Sequence, residues 1–276
     1  NGLFIGKKNE VYRYNEETAN FDLYYQLPNG SLDIFCMHID KGYLWIGTTT
    51  NGVYRLNIDK KELEHPIRKG NIISFYRDSG GELWIGSWEE GLFHVKTNGK
   101  IENFKYDAKN PHSLSSNFVR ACCEDNLGNI WIGTFNGLNR YNKSTGLFQN
   151  HTANDIQSDG LTHSSIWCIV KDNQGTLWLG TYFGGVNYFN PEYEIYTRYS
   201  YSSNEKQGLS NPVVGRTIED KNGNLWIGTE GGGLNYFNRR TREFKWYRPQ
   251  EGRNSISHNN VKALYYDADK EIIWIG

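Results

Sequence analysis

Apolar residues in this chain come in short runs of about four to six, separated by clusters of glycine, asparagine, aspartate and serine. The runs are rich in β-branched and aromatic residues, and almost nowhere recur with helical period, so the pattern predicts strands joined by tight turns. One run recurs seven times. It reads Leu3 to Gly6, Leu44 to Gly47, Leu83 to Gly86, Ile130 to Gly133, Leu177 to Gly180, Leu225 to Gly228 and Ile273 to Gly276. Its aromatic position is Phe4, Trp45, Trp84, Trp131, Trp178, Trp226 and Trp274, at spacings of 41, 39, 47, 47, 48 and 48.

One unit is legible in detail between Val119 and His151. An apolar run, Val119 to Glu124, leads into Asp125-Asn-Leu-Gly128. Aspartate first and glycine fourth is type I turn chemistry: the carboxylate caps turn amides, and glycine accepts the positive φ that follows. Three further runs follow: Asn129 to Thr134, Leu138 to Tyr141 and Leu147 to His151. Four short antiparallel strands repeated every 45 residues or so describe an all-β β-propeller of four-stranded blades. A β-helix normally repeats over fewer residues. The repeated tryptophan is expected in the core between blades, where such a ring buries roughly 150–250 Å².

The expected organisation is one propeller domain over 1–276. Its approximate blades are 1–27 (partial), 33–65, 71–106, 117–151, 164–200, 212–248 and 259–276 (partial). Seven blades with incomplete terminal ones, or six blades plus a spare strand, both fit this frame. Opening and closing on the second strand of a blade points to a segment of a longer sensor chain.

Charge and composition narrow the function classes. Lys plus Arg number 30 against 31 Asp plus Glu. This balance argues against a general nucleic-acid or anionic-membrane binder. No apolar run is long enough to span a membrane. Cys36, Cys122, Cys123 and Cys168 form no Cys-x-x-Cys pair and leave the redox compartment open. Cys36 and Cys168 read as small buried hydrophobes.

The pattern Asn-Ser-Leu-Ser-x-Asn, then Glu-Asp-x-x-Gly-x-Leu-Trp-Ile-Gly-Thr, then Gly-Leu-Asn-x-Tyr-Asn resembles the two-component regulator propeller repeat. It is fullest in His112 to Asn142 and Gly208 to Asn238, and incomplete in Ser255 to Gly276. The resemblance implies a periplasmic, carbohydrate-sensing region of a hybrid two-component system, an inner-membrane protein whose histidine kinase lies outside this segment. It implies an oligosaccharide or other small ligand, an adjacent propeller or immunoglobulin-like domain of the same chain, and a homodimer. No cofactor and no metal are expected, and no contact of this segment with nucleic acid or membrane.

Positions that differ between units are where an asymmetric ligand could be read. Five residues before the turn aspartates stand Phe35, Ile73, Arg120, Trp167, Gly215 and Lys262. Four before stand Cys36, Ser74, Ala121, Cys168, Arg216 and Ala263, of which only Arg216 is large. Turns between second and third strands, at the same end, add Trp88, Glu89, Phe135, Tyr182, Phe183 and Glu230. One exposed face of aromatics and charges is therefore expected from Trp88, Glu89, Arg120, Phe135, Trp167, Tyr182, Phe183, Arg216, Glu230 and Lys262. Flat rings stack on sugar C–H faces, and arginine can grip a uronate or sulfate bidentately. The competing structural readings are that the rings fill gaps between turns and that the cations pair with local carboxylates.

No catalytic residue is expected. The seven histidines form no His-x-His or His-x-x-x-His pair, the spacing that would point to a metal. His38 reads as core. Asp155 to Gly160 lacks the alternating ligands of an EF-hand and reads as a connecting loop. A propeller lyase, a glycoside hydrolase and a protein-interaction platform remain the alternatives.

Overall fold

The computed structural model describes residues 2–28, 33–153, 160–191 and 195–276, the side chains of 195–198 excepted. Asp155 to Asp159 lie outside the described residues. The chain divides into two compact units, Asn1–Lys105 with Asn117–Val119, and Tyr106–Ser116 with Arg120–Gly276.

The first unit holds three sheets. One has three strands, β1 (Phe4–Lys7), β2 (Glu10–Asn15) and β3 (Asn20–Gln26). Two have four: β4 (Ile34–Asp40), β5 (Tyr43–Thr48), β6 (Val53–Asn57) and β7 (Leu63–Ile67), then β8 (Ile72–Arg77), β9 (Leu83–Ser87), β10 (Leu92–Val95) and β11 (Ile101–Phe104). The second unit holds three four-stranded sheets and one of two strands. The first is β12 (Val119–Glu124), β13 (Ile130–Thr134), β14 (Gly137–Asn142) and β15 (Leu147–His151). Next come β16 (Ile166–Lys171), β17 (Leu177–Thr181), β18 (Val186–Asn190) and β19 (Ile195–Tyr199). Then follow β20 (Val214–Glu219), β21 (Leu225–Thr229), β22 (Gly233–Asn238) and β23 (Glu243–Tyr247), and the pair β24 (Leu264–Asp267) and β25 (Ile272–Ile275). In each sheet, strands adjacent in space are consecutive in sequence, and the pairings are antiparallel. This is the meander of a propeller blade, and the fold is an all-β propeller.

The turn between first and second strands follows the sequence reading closely. Asp172 Oδ1 accepts from the amides of Gln174 (2.8 Å) and Thr176 (3.0 Å), and Gly175 takes φ +82°. The carboxylate also has a second task. Its Oδ2 accepts the indole Nε1–H of Trp178 at 2.6 Å, and the same bond joins Asp78 to Trp84, Asp125 to Trp131 and Asp220 to Trp226. Turn and core tryptophan are thus one unit.

The motif glycine sets how closely the sheets stack. A Cβ on Gly180 would lie 2.6 Å from Cγ1 of Val214, the first residue of the next sheet. Gly6, Gly47, Gly133 and Gly228 meet the side chains of Ile34, Ile72, Ile166 and Val261 in the same way. A Cβ on Gly86 would meet Ser74 Oγ first, at 2.4 Å, and then the Val119 carbonyl oxygen, at 2.7 Å. Only hydrogen fits there, so the β-branched column of one sheet packs onto the glycine column of the one before it.

Trp45, Trp84, Trp131 and Trp178 are buried, as expected for core residues. Phe4 and Trp226 are half-buried, and Trp274 is 52% exposed. Its sheet has only β24 and β25, so no third strand lies beside it.

The first strand begins with a β-bulge. The register slips between Ile34 and Cys36, Ile72 and Ser74, Ile166 and Cys168, and Val214 and Thr217. A bulged residue leaves the ladder and its side chain is re-aimed. The skipped residues include Phe35, Ile73 and Trp167, members of the variable column.

Candidate functional site

Three elements of the second unit build the candidate site. Thr134 Oγ1 donates to the Gly137 carbonyl at 2.9 Å and accepts from the Asn136 amide at 3.1 Å, which fixes the turn carrying Phe135. Thr181 Oγ1 likewise donates to the Gly185 carbonyl at 2.8 Å and accepts from the Gly184 amide at 2.9 Å, fixing Tyr182 and Phe183. The connection into β16 is pinned by buried Asn187, which accepts from the Thr162 amide at 3.1 Å and donates to its hydroxyl at 2.8 Å.

Arg120 lies between these elements. The sequence pattern placed it on an open face; the structure buries it, at 6% exposure. Two ring faces cover it: the guanidinium carbon is 4.2 Å from the Trp167 centroid and 5.3 Å from that of Phe135. One guanidinium nitrogen donates to Ser165 Oγ at 2.7 Å. Burial pushes the guanidinium down to about 10, and the nearby Tyr182 opposes the shift. Arg120 therefore remains a cation at neutral pH in a largely desolvated place. Such cation–π contacts strengthen when water is removed.

The aromatic group continues outward. Trp167 stacks on Tyr182 at 5.8 Å and 20°, and Tyr182 meets Phe183 edge-on at 4.4 Å. Phe135 and Phe183 are 53% and 57% exposed, so this group presents rings to solvent over a buried cation. The Trp167 indole N–H is buried and has no hydrogen-bond partner among the described residues.

The structure thus gathers Arg120, Phe135, Trp167, Tyr182 and Phe183. It treats the remaining candidates differently. Lys262 pairs with Glu230 at 3.5 Å, the local pairing that competed with a ligand role. Arg216 points to solvent from β20. Trp88 and Glu89 belong to the first unit, where Trp88 packs edge-on against Phe118 at 5.4 Å and Glu89 is exposed. Ser165 and His163 escaped the sequence reading. His163 Nδ1 accepts from the Ser165 amide at 3.0 Å and so helps hold the hydroxyl that binds Arg120. Both lie just before β16, outside the turns and strands the repeat singled out.

His38 is half-buried in the first unit against Phe75, at 6.3 Å, and burial lowers its pKa. Among the described residues no helix is long and apolar enough to cross a membrane.

The two-component regulator propeller repeat matches residues 66–89, 113–136, 160–183 and 208–231. Four stretches of the chain therefore carry the two-component regulator propeller repeat. Its fold is similar to the extracellular domain of the hybrid two-component system BT3049 from B. thetaiotaomicron, at 25% identity and a TM-score of 0.78, over 100% of this chain and 36% of that one. The propeller therefore spans about a third of that chain's length. It is also similar to virginiamycin B lyase from Staphylococcus aureus, at 16% identity and a TM-score of 0.71, over 98% of this chain and 85% of that one. That likeness is one of fold alone. No curated protein matches the propeller.

Proposed function

We propose that the propeller is the extracytoplasmic ligand-sensing part of a hybrid two-component signalling protein. It binds an oligosaccharide, a glycan breakdown product, without turning it over, and signals to a histidine kinase outside this chain. The likeness to an extracellular two-component domain supports the sensor role. The observation that carries the binding site is Arg120, a desolvated cation held between Trp167 and Phe135. A sugar would lay its C–H face on the exposed rings and its acidic or hydroxyl oxygens toward the guanidinium and the unsatisfied indole N–H. A buried donor without a partner costs about 1–3 kcal/mol, so an acceptor supplied by ligand adds affinity. Signalling requires that the ligand bind one arrangement better than another. An adjacent propeller or immunoglobulin-like domain of the same chain, or a second copy of it, would feel that difference.

The test is thermal melting against neutral, acidic and sulfated oligosaccharides. A ligand at 100 times its Kd adds about 2.7 kcal/mol. The expected result is a shift with the sugar recovered intact, lost in Arg120→Gln and weakened in Phe183→Ala, whose exposed ring can be removed without harming the fold. Consumption of the sugar would replace the sensor reading with an enzymatic one. A panel without any shift would replace it with a protein-interaction platform.

A further inference from the structure

The second unit carries a cavity at the other end of its strands. In an antiparallel meander, the turns joining first to second and third to fourth strands lie opposite the turns that carry Phe135 and Tyr182. At that end a groove of about 450 Å³ opens between the β16–β19 and β20–β23 sheets. Ligand pockets commonly measure about 300–1,000 Å³.

Its wall is aromatic and rigid. Trp178 stacks on Tyr188 at 4.7 Å and 26°, and lies 5° from parallel to Tyr199 at 6.3 Å. Arg239 fixes the floor: it pairs with Asp172 at 2.7 Å and Glu219 at 3.2 Å, and sits 5.6 Å from the Trp178 centroid. The side chains of Asn173 and Asn222 also line the groove. An amide both donates and accepts, as sugar hydroxyls require.

The rim distinguishes this groove from its counterparts. The turn between β22 and β23 reads Arg239-Arg240-Thr241-Arg242, where the turn between β14 and β15 reads Lys143-Ser144-Thr145. Lys143, the counterpart of Arg239, is likewise paired, with Glu124 at 2.6 Å. Arg240 and Arg242 have no such partner: both line the groove, are exposed, and make no ion pair with a described residue. Their backbone is held nonetheless. Asn238 accepts from the Arg240 amide through its side chain at 3.0 Å and from the Arg242 amide through its carbonyl at 2.8 Å. Two cations on a fixed turn beside an aromatic wall select a ligand with both a ring face and a negative group.

We infer that this groove is a second ligand site, taking a polyhydroxylated ring of one or two units that bears a carboxylate or a sulfate. It would operate independently of the Arg120 cluster, which lies at the opposite end of the strands.

The experiment titrates the whole chain with glucuronate, glucose 6-sulfate, glucose and inorganic sulfate at constant ionic strength, followed by calorimetry. The variant is Arg240→Gln/Arg242→Gln, which alters two exposed side chains without described partners. Glucuronate or glucose 6-sulfate should bind saturably and at least tenfold more tightly than glucose. The double variant should weaken binding at this groove at least tenfold, and by the same factor when it is made in the Arg120→Gln background. The inference is overturned by absence of saturable binding of either sugar anion, by equal binding of glucose, or by equal binding to the double variant. Inorganic sulfate binding as tightly as the sugars would mark an ion contact only and overturn it as well. Loss in Arg120→Gln but not in the double variant would place binding at the Arg120 cluster instead.

Discussion

Trp84 and His94 sit on paired strands, β9 and β10, with ring centroids 3.7 Å apart and 9° from parallel. Glu82 lies 2.7 Å from the imidazole and favours its charged form, but burial outweighs it and holds the His94 pKa below the usual range. Unfolded histidine takes up its proton near about pH 6.5. The folded side chain resists protonation until lower pH, so below about 6.5 the unfolded chain binds more protons and is favoured. Stability contributed by neutral His94 is therefore complete above that pH and declines as the pH falls toward the folded value. The melting temperature of the wild type should drop more steeply between neutral pH and about pH 5 than that of His94→Phe, which keeps the stack without the titration. Equal slopes would place the acid sensitivity elsewhere. Trp84 was legible from its period, but His94 read only as one scattered histidine, because spacing does not reveal which ring lies across a strand pair.

The turn between first and second strands is the element on which the blade depends. Asp172 accepts from two turn amides and the Trp178 indole, and pairs with Arg239. Asp172→Ala would remove all of these and leave a partly buried arginine short of one partner. A loss of about 2–4 kcal/mol is expected. The side chain of Asp267, at the end of β24, accepts only from the Lys270 amide among the described residues, at 3.1 Å. Asp267→Ala should cost about 1 kcal/mol or less, near the lower range for a capping residue. Urea unfolding of the two variants measures the difference, and equal costs would show that the indole and arginine contacts add nothing. The capping role was readable because Asp-x-x-Gly is a local signal. The bond to tryptophan was not, since it depends on which edge of the indole faces back over the turn. The bulge that re-aims Trp167 was hidden for a related reason: it is a mismatch between two strands, and neither strand shows it alone.

At the scale of the whole molecule, repetition made the fold readable. The same weak local signals recur in phase, so strands, turns and the motif tryptophan could be placed before any contact was known. The site was less readable, because what distinguishes Arg120 is its burial between rings of two sheets, and Arg240 and Arg242 stand out only once the groove beside them is seen. Two columns that the sequence presented separately, the motif glycines and the β-branched residues, prove to be one interface between successive sheets. That interface can be tested at Gly180. Its φ is not positive, so alanine would meet no backbone penalty there, yet its Cβ would lie 2.7 Å or less from Cys168 Sγ and Val214 Cγ1. Gly180→Ala should cost about 1–3 kcal/mol through overpacking. Gly80→Ala is the control, since its Cβ would meet only Asp78 Oδ1, at 3.3 Å. In repeat architectures each unit contacts its neighbours, so disturbance should be greatest beside the change. Amide exchange in Gly180→Ala should therefore rise most in β16, β17 and β20, the strands that meet at this glycine. A small, uniform rise over all described sheets, or a cost no greater than that of Gly80→Ala, would mean that the sheets can part slightly and that glycine at this position does not set their spacing.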